Sequence, residues 1–299
     1  MDYRRLGNSD LEISKISFGC MSLDYKNPES VSLLHKALDQ GVNFFDTADL
    51  YDWGENEKLI GKALKDMRKN VIIATKVGNE WNKDKSDWKW NPSKKYILQA
   101  VDRSLQRLQT DYIDLYQLHG GTIDDPIDET IEAFEHLKEQ GKIRYYGISS
   151  IRPNVIREYV RKSNITSVMM QYSILDRRPE ESCFSLLEEY QIGVLSRGTL
   201  AKGLLSGKPA SDYLDYSASQ VEKVSAKVRK IAKESNNTAS QTAISFAFNQ
   251  PVVASAVVGF RTREQLEDIF RDKSSFTLQK NQIECLQKSI APIYYKNHR

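Results

Sequence analysis

Cysteine is scarce in this chain of 299 residues: there are three, Cys20, Cys183 and Cys285. They are odd in number and far apart. That excludes a disulfide framework and points to a reducing compartment, expected to be the cytoplasm. Long apolar runs are missing too. No stretch approaches the roughly 18 apolar residues of a membrane span, and the N-terminal MDYRRLGNSDLEIS lacks the apolar segment of a signal peptide. Charge of one sign is also lacking. With 43 Lys and Arg against 40 Asp and Glu the net charge is +3, and the bases are interleaved with acids. Nothing there calls for a nucleic acid. Histidine is rare: His35, His119, His136 and His298 show neither H-x-H nor H-E-x-x-H spacing, so no metal site is expected. Finally, there is no G-x-G-x-x-G turn and no P-loop, the Gly-rich devices by which open α/β sheets hold nucleotides.

What the chain does contain is an alternation. Short runs rich in Val, Ile and aromatics recur: ISFGC, NFFDTA, VIIATKV, YIDLYQLH, IRYYGIS, SVMMQYS, IGVLSRG and ASAVVG. Segments of helical period lie between them, over 29–40, 56–64, 94–108, 127–140, 153–162, 180–190, 221–249 (read as two helices) and 263–270. Gly41, Gly141 and Gly193 each follow a helix and precede a strand, which reads as helix termination. Pro28, Pro92, Pro126 and Pro153 sit near helix starts, where a missing N–H is harmless. Eight strand–helix units with no break in composition predict an α/β fold, one closed (β/α)8 barrel spanning 1–299, rather than an open doubly wound sheet. Ahead of the first strand, YRRLGNSDLEIS reads as a short hairpin plugging the barrel bottom. The end of the chain, from Thr277, reads as a helix and a tail.

Four polar residues stand at or just beyond strand ends. Asp46 and Tyr51 follow Phe44-Phe45 in FFDTADLYDWGENE, Lys76 closes VIIATKVG and His119 closes YIDLYQLHGG. Barrels of parallel strands carry their chemistry at the carboxyl ends of those strands. An acid, a phenol, an amine and an imidazole brought to one end make a proton-handling set. Singly, each has an ordinary reading: helix cap, packed aromatic, solvated lysine, structural histidine. Two polar stretches read as loops long enough to shape a site. One runs from 78 to 92 and holds Trp81, Trp88 and Trp90; the other runs from 199 to 220. The tryptophans either cover the rim or form an apolar wall over the active site.

The motifs LGNSDLEISKISFGCM, FFDTADLYDWGENEKLIGKAL, VIIATKVG, SLQRLQTDYIDLYQLH, GKIRYYGISS, QYSIL, GVLSRGTLAKGLLSGK and VVGFRTREQLE occur in one order over nearly the whole chain. In these the chain resembles the aldo-keto reductases. The resemblance implies a (β/α)8 barrel that reduces aldehydes or ketones, with NADPH/NADP+ (rather than NADH) held across its mouth without a Gly-rich turn. It implies Tyr51 as the acid that protonates the carbonyl oxygen and Lys76 as the neighbour that lowers the phenol's pKa. Asp46 would keep Lys76 charged, and His119 would orient the carbonyl.

The resemblance also assigns cofactor contacts. Gly19, Cys20 and Met21 would lie in the loop beside the nicotinamide, with Cys20 a packing residue rather than a nucleophile. Ser149, Ser150 and Gln171 would hold its carboxamide, although the family usually has asparagine where Ser150 stands. Leu200, Gly203 and Lys208 would cross the pyrophosphate. Gly259, Arg261, Thr262 and Gln265 would meet the adenosine end, with Arg261 pairing with the 2′-phosphate. Ile269 departs from an asparagine that contacts adenine. Arg197 stands where many members place an aromatic residue on the nicotinamide; it either stacks there or turns to the pyrophosphate or an acidic neighbour. The expected partner is a small-molecule carbonyl compound, with neither nucleic acid nor membrane, and oligomeric state is open. Two other readings are a cofactor-binding regulatory subunit with slow or no turnover and an unrelated barrel enzyme.

Overall fold

The structure, a computed structural model, describes residues 1–273 and 276–299. Eight parallel strands, β1 (Ile16–Gly19), β2 (Phe44–Asp46), β3 (Ile72–Val77), β4 (Ile113–Leu118), β5 (Ile143–Ser149), β6 (Ser167–Gln171), β7 (Gly193–Arg197) and β8 (Val253–Gly259), pair in chain order, and β8 closes onto β1. Their composition explains the pairing. A strand covered on both faces reads as a continuous apolar or β-branched run, and all six residues of β4 are buried. Register brings the upper ends level: Gly19 lies opposite Asp46, Lys76 opposite Gln117, and Gln171 opposite Arg197.

The predicted bottom plug is present. Tyr3–Arg5 and Glu12–Ser14 form an antiparallel hairpin. Leu6, Leu11 and Ile13 close the lower end of the barrel, packed with Phe44, Ala74, Leu115, Met169 and Leu195. Burying one leucine fully contributes about 2 kcal/mol. This hairpin also corrects the reading of Gly193. The residue that takes the left-handed conformation after the preceding helix is Gln191, with φ 54°. Gly193 begins β7, and a Cβ on it would lie 2.7 Å from the backbone nitrogen of Gly7. Its small size admits the hairpin rather than ending a helix. Gly41 and Gly141 behave as expected, with φ of 87° and 71°.

Helices α1 (Glu29–Asp39), α2 (Glu55–Leu64), α3 (Lys94–Leu108), α4 (Ile127–Glu139) and α5 (Pro153–Lys162) fall where the period placed them. In α3 the buried residues Tyr96, Ile97, Ala100, Val101, Ser104 and Leu108 recur at helical spacing, and Ser93 caps its first turn. The segment 180–190 begins as a 3₁₀ turn, Arg178–Glu181, before α6 (Cys183–Glu189). The stretch 221–249 divides into α7 (Ala218–Glu234) and α8 (Ala239–Ala247), each opened by a capping box, Ser217 with Gln220 and Thr238 with Gln241. After α9 (Arg263–Phe270) comes α10 (Lys280–Gln287), then the tail. Among the described residues no helix is long and apolar enough to cross a membrane.

Candidate active site

Three of the four strand-end residues meet directly. Lys76 Nζ donates to Asp46 Oδ2 at 2.6 Å, to the Thr47 carbonyl at 2.7 Å and to the Tyr51 hydroxyl at 3.3 Å. All three ammonium protons are thereby placed. The Lys76 side chain is 1% exposed and that of Asp46 6%. A buried charge needs this kind of saturation, because an unpaired one costs several kcal/mol. Gln117, two residues before His119 on β4, donates to the other oxygen of Asp46 at 3.2 Å. The His119 ring stands edge-on to Tyr51, with centroids 5.8 Å apart and planes at 81°. Tyr51 opens a 3₁₀ turn in which Asp52 and Trp53 have φ of 50° and 56°. Left-handed backbone costs a non-glycine residue about 1–2 kcal/mol; here it holds Tyr51 and Trp53 side by side above the strands.

Burial dominates the electrostatics. It pushes the Asp46 carboxyl up, with Lys76 and Gln117 opposing. On Lys76 burial acts downward, but Asp46 and Tyr51 together outweigh it and leave the pKa above the usual lysine value. The donors around Asp46 and the acceptors around Lys76 fit an ion pair with the proton on the amine. Tyr51 corrects the expectation of a lowered phenol. Lys76 does pull its pKa down, but burial outweighs Lys76 and, helped by the charge of Asp46, leaves the phenol above its ordinary value. Burial, then Lys76 and Arg197, drive His119 down to about 3, so the imidazole is neutral near pH 7. Its Nδ1 is buried and has no hydrogen-bond partner among the described residues. Cys20 is wholly buried, and burial raises its thiol pKa well above the ordinary value, consistent with packing rather than nucleophilic work.

A cleft of about 300 Å³ opens above Tyr51, lined by Met21, Leu50, Asp52, Trp53, Trp81 and Trp88. The tryptophan segment is not the loop its polarity suggests. Asn79–Trp81 pairs antiparallel with Trp88–Trp90. The three tryptophans also divide their tasks. Trp81 and Trp88 line the cleft, whereas the Trp90 indole N–H lies 3.0 Å from both carboxylate oxygens of Asp125. A Cβ on Gly78 would come within 2.6 Å of the Trp90 ring, so Trp90 anchors the hairpin on the barrel. The N–H groups of Trp53 and Trp81 donate to the carbonyls of Lys85 and Leu50 at 3.0 and 3.2 Å. With their polar edges occupied, these rings offer the cleft apolar faces.

Comparison with known proteins agrees with this geometry. The profile of the Aldo/keto reductase family matches residues 15–291. The chain belongs to the aldo/keto reductase family. It is similar to the uncharacterized oxidoreductase YqkF of Bacillus subtilis, 49% identical with 100% of both chains covered. Aldo-keto reductase AKR11C1 from Bacillus halodurans in its holo form superposes with a TM-score of 0.93 at 48% identity, covering 100% of this chain and 99% of that one. Its apo form gives 0.83 at 43% identity, with the same coverage. This chain is thus an oxidoreductase of the aldo-keto reductase type, with the small-molecule carbonyl chemistry and nicotinamide cofactor of that family.

The mouth of the reductase offers groups that fit such a cofactor. Ser149 ends β5, Gln171 ends β6 and Arg197 ends β7. The Ser149 hydroxyl has no protein partner among the described residues. Ser150 is buried, and its hydroxyl accepts from the backbone N–H of Arg152 at 3.2 Å, which leaves its own hydrogen to donate. Gly19 and Gly259 are register partners at the closing seam, with Met21 largely exposed above them. In the second long segment, Leu200 and Gly203 frame a short 3₁₀ turn, Ala201–Gly203, and the Lys208 stem lies over Gly203.

At the start of α9, Thr262 caps the helix by accepting from Gln265 N–H, and the Gln265 side chain accepts from Arg261 N–H at 2.8 Å. The Gln265 side-chain oxygen is thereby committed to the cap. Ile269 is buried in the outer core, so it faces the barrel wall rather than the mouth. Arg197 forms no ion pair with an acid among the described residues; its guanidinium donates to the Gln171 side-chain oxygen at 3.1 Å. Sequence reasoning missed Gln117 and Asn56. Asn56 donates to the Cys20 carbonyl at 2.9 Å and accepts from the Thr47 hydroxyl at 2.7 Å, tying two mouth loops together. The signal for Gln117 was its place two residues before His119 in an otherwise apolar strand.

Proposed function

We propose that this reductase uses NADPH to reduce aldehydes or ketones to alcohols in the cytoplasm, with Tyr51 as general acid and Asp46, Lys76 and His119 as its partners. The observation that carries the reading is the Lys76 ammonium, which touches both Asp46 and the Tyr51 hydroxyl. Bound NADPH supplies the hydride. The protein's task is the oxygen. As negative charge develops there, Tyr51 gives up its phenolic proton, and the Lys76 ammonium stabilises the phenolate left behind. The Tyr51 phenol keeps its proton near neutrality and is ready to donate, while Lys76 opposes the burial that weakens it as an acid. Lys76 acts on the charged product of that transfer rather than by ionising the phenol beforehand. Neutral His119 donates a hydrogen bond to the same oxygen from Nε2–H, and Asp46 and Gln117 hold the lysine in place.

Gln171, Ser149 and Ser150 would hold the nicotinamide carboxamide, with Gly19, Cys20, Met21 and Gly259 shaping the walls around it. Leu200, Gly203 and Lys208 would flank the pyrophosphate, and Thr262 and Gln265 would support the adenosine end through the α9 cap. Arg261 supports NADPH over NADH: it is exposed beside the α9 N-terminus, and among the described residues it makes no ion pair. A guanidinium fork suits a phosphate. The substrate class favoured by the cleft is an apolar or aromatic carbonyl compound, since Trp53, Trp81 and Trp88 present ring faces. The test is titration with NADPH and NADH, followed by a panel of carbonyl compounds from sugars to aromatic aldehydes. Tighter NADPH binding, weakened selectively in Arg261→Ala, together with highest kcat/KM on apolar aldehydes, is expected. Equal affinity for the two cofactors, or a preference for sugars, contradicts the corresponding part.

A further inference from the structure

Arg197 and Gln171 are register partners at the ends of adjacent strands. The Arg197 guanidinium donates through Nη1 to Gln171 Oε1 at 3.1 Å. The other end of that amide is committed elsewhere: Gln171 Nε2 donates to Asp176 Oδ2 at 2.8 Å and to the Tyr213 hydroxyl at 3.1 Å. An ionised carboxylate only accepts, so it admits the NH₂ end of the amide and turns the oxygen toward Arg197. Asp176 is itself wholly buried and gripped by Arg178, Nε to Oδ1 at 2.8 Å and Nη2 to Oδ2 at 2.7 Å. Such a two-point pairing matches the acid's charge with Arg178. From the tail, Tyr295 places its ring 5.3 Å from the Arg178 guanidinium and covers the pair.

Arg197 is left without a counter-ion. Among the described residues no carboxylate forms an ion pair with it. It is half-buried, and its charge reaches the catalytic set: it lowers the pKa of His119 behind burial and Lys76, and acts downward, as the smallest of the named causes, on Asp46 and Tyr51. The guanidinium is therefore held by Gln171 at the end of β7, with no ion-pair partner among the described residues and within electrostatic reach of the catalytic residues.

We propose that Arg197 selects the redox state of the bound cofactor, as an uncompensated cation that weakens NADP+ relative to NADPH. This rests on the reading above that puts the nicotinamide at the ends of β5 to β7. The reduced ring is neutral. When its hydride passes to the carbonyl carbon and the Tyr51 proton to the oxygen, the ring is left cationic. A fixed positive charge nearby then opposes the oxidised form and not the reduced one, which favours release of the oxidised product. Gln171 keeps the guanidinium from swinging away, and Arg178 keeps Asp176 from neutralising it.

The experiment is a pair of equilibrium titrations, NADPH and NADP+, read by quenching of tryptophan fluorescence in the wild type, Arg197→Met and Arg197→Lys. Arg197→Met is expected to lower the ratio of NADP+ to NADPH dissociation constants about tenfold, the scale of one charge a few ångströms away in a half-buried site. Arg197→Lys, which keeps the charge and loses the fork, is expected to retain most of the wild-type ratio. Thermal melts of the three proteins confirm that folded protein is being compared. An unchanged ratio in Arg197→Met overturns the proposal. Equal weakening of both forms overturns it as well, because the arginine would then serve only to support Gln171. If the wild type binds neither form, the nicotinamide reading itself falls.

Discussion

The two ends of the barrel are built from the same strands, two residues apart. Phe44 stands below Asp46, Ala74 below Lys76, Leu115 below Gln117, Met169 below Gln171 and Leu195 below Arg197. Each lower residue belongs to the apolar cluster sealed by Leu6, Leu11 and Ile13. The upper ones carry the hydrogen bonds of the mouth. Side chains alternate along a strand, so residues two apart face the same way. Every one of these strands thus changes from oil to polar chemistry in one step along the barrel axis. The lower layer is held by burial, which is non-directional and tolerates exchange of shape. The upper layer is held by directed bonds between charges that are costly to bury and costlier to unpair. Buried polar atoms without a partner among the described residues occur there too, at Gln117 Oε1 and His119 Nδ1. The lower layer closes the barrel, and the upper one keeps polar groups available for substrate.

Breaking the upper layer should cost most. Lys76→Met removes the charge that stabilises the Tyr51 phenolate and strands Asp46. It is expected to lower kcat/KM by about a thousandfold and stability by about 3–5 kcal/mol, measured by steady-state kinetics and urea unfolding. Loss of stability without loss of turnover would make the lysine structural only. In the lower layer, Leu6→Ala should cost about 2–5 kcal/mol while kcat and KM of the folded enzyme stay near wild type. A comparable fall in kcat would mean that the two layers are coupled.

Acid should separate the layers as well. The folded pKa of His119, about 3, lies below the unfolded value near 6.5, so the unfolded chain binds the extra proton. The stability this contributes is full above about pH 6.5 and is lost as pH falls toward 3. Between pH 7 and 5 the loss amounts to about 2 kcal/mol, and His119→Asn should remove that part of the acid sensitivity. Identical pH dependence of urea unfolding in the variant and wild type would contradict the depressed pKa. The smallest effect expected is at the cleft. Trp53→Ala should raise KM for an aromatic aldehyde several-fold by removing an apolar face and leave NADPH affinity unchanged. An unaltered KM would place the substrate elsewhere.

Much of this was legible in the sequence. The barrel follows from strand and helix periods that repeat without a break, and Asp46, Lys76 and His119 announced themselves as polar residues closing apolar runs. What escaped depends on neighbours distant in the chain. The net shift of Tyr51 sets burial and the Asp46 charge against Lys76 and, more weakly, Arg197, and burial is set by the cleft wall, not by the motif. The tryptophan hairpin looked like a loop because its turn, Asn82 to Asp87, is polar, and its anchor, Asp125, lies 35 residues from Trp90. Gly193 reads as a helix stop in the sequence because the hairpin that crowds it is far upstream. For Asp176 the sequence offers Arg177 and Arg178 side by side and cannot say which one claims the acid. The structure gives it to Arg178, while Arg177 pairs with Glu180. That choice leaves Arg197 without an ion pair among the described residues, held by Gln171 instead.

The central claim, that the upper layer is a proton donor for a carbonyl oxygen, comes down to one oxygen atom. Tyr51→Phe removes it and leaves the ring, Lys76 and Asp46 in place. The decisive measurement loads this variant and the wild type with NADPH and follows oxidation of the cofactor after mixing with an aromatic aldehyde. The predicted result is NADPH affinity within about threefold of wild type and oxidation slowed by about a hundredfold or more, the range of general acid catalysis. Near-wild-type oxidation in Tyr51→Phe would contradict the account.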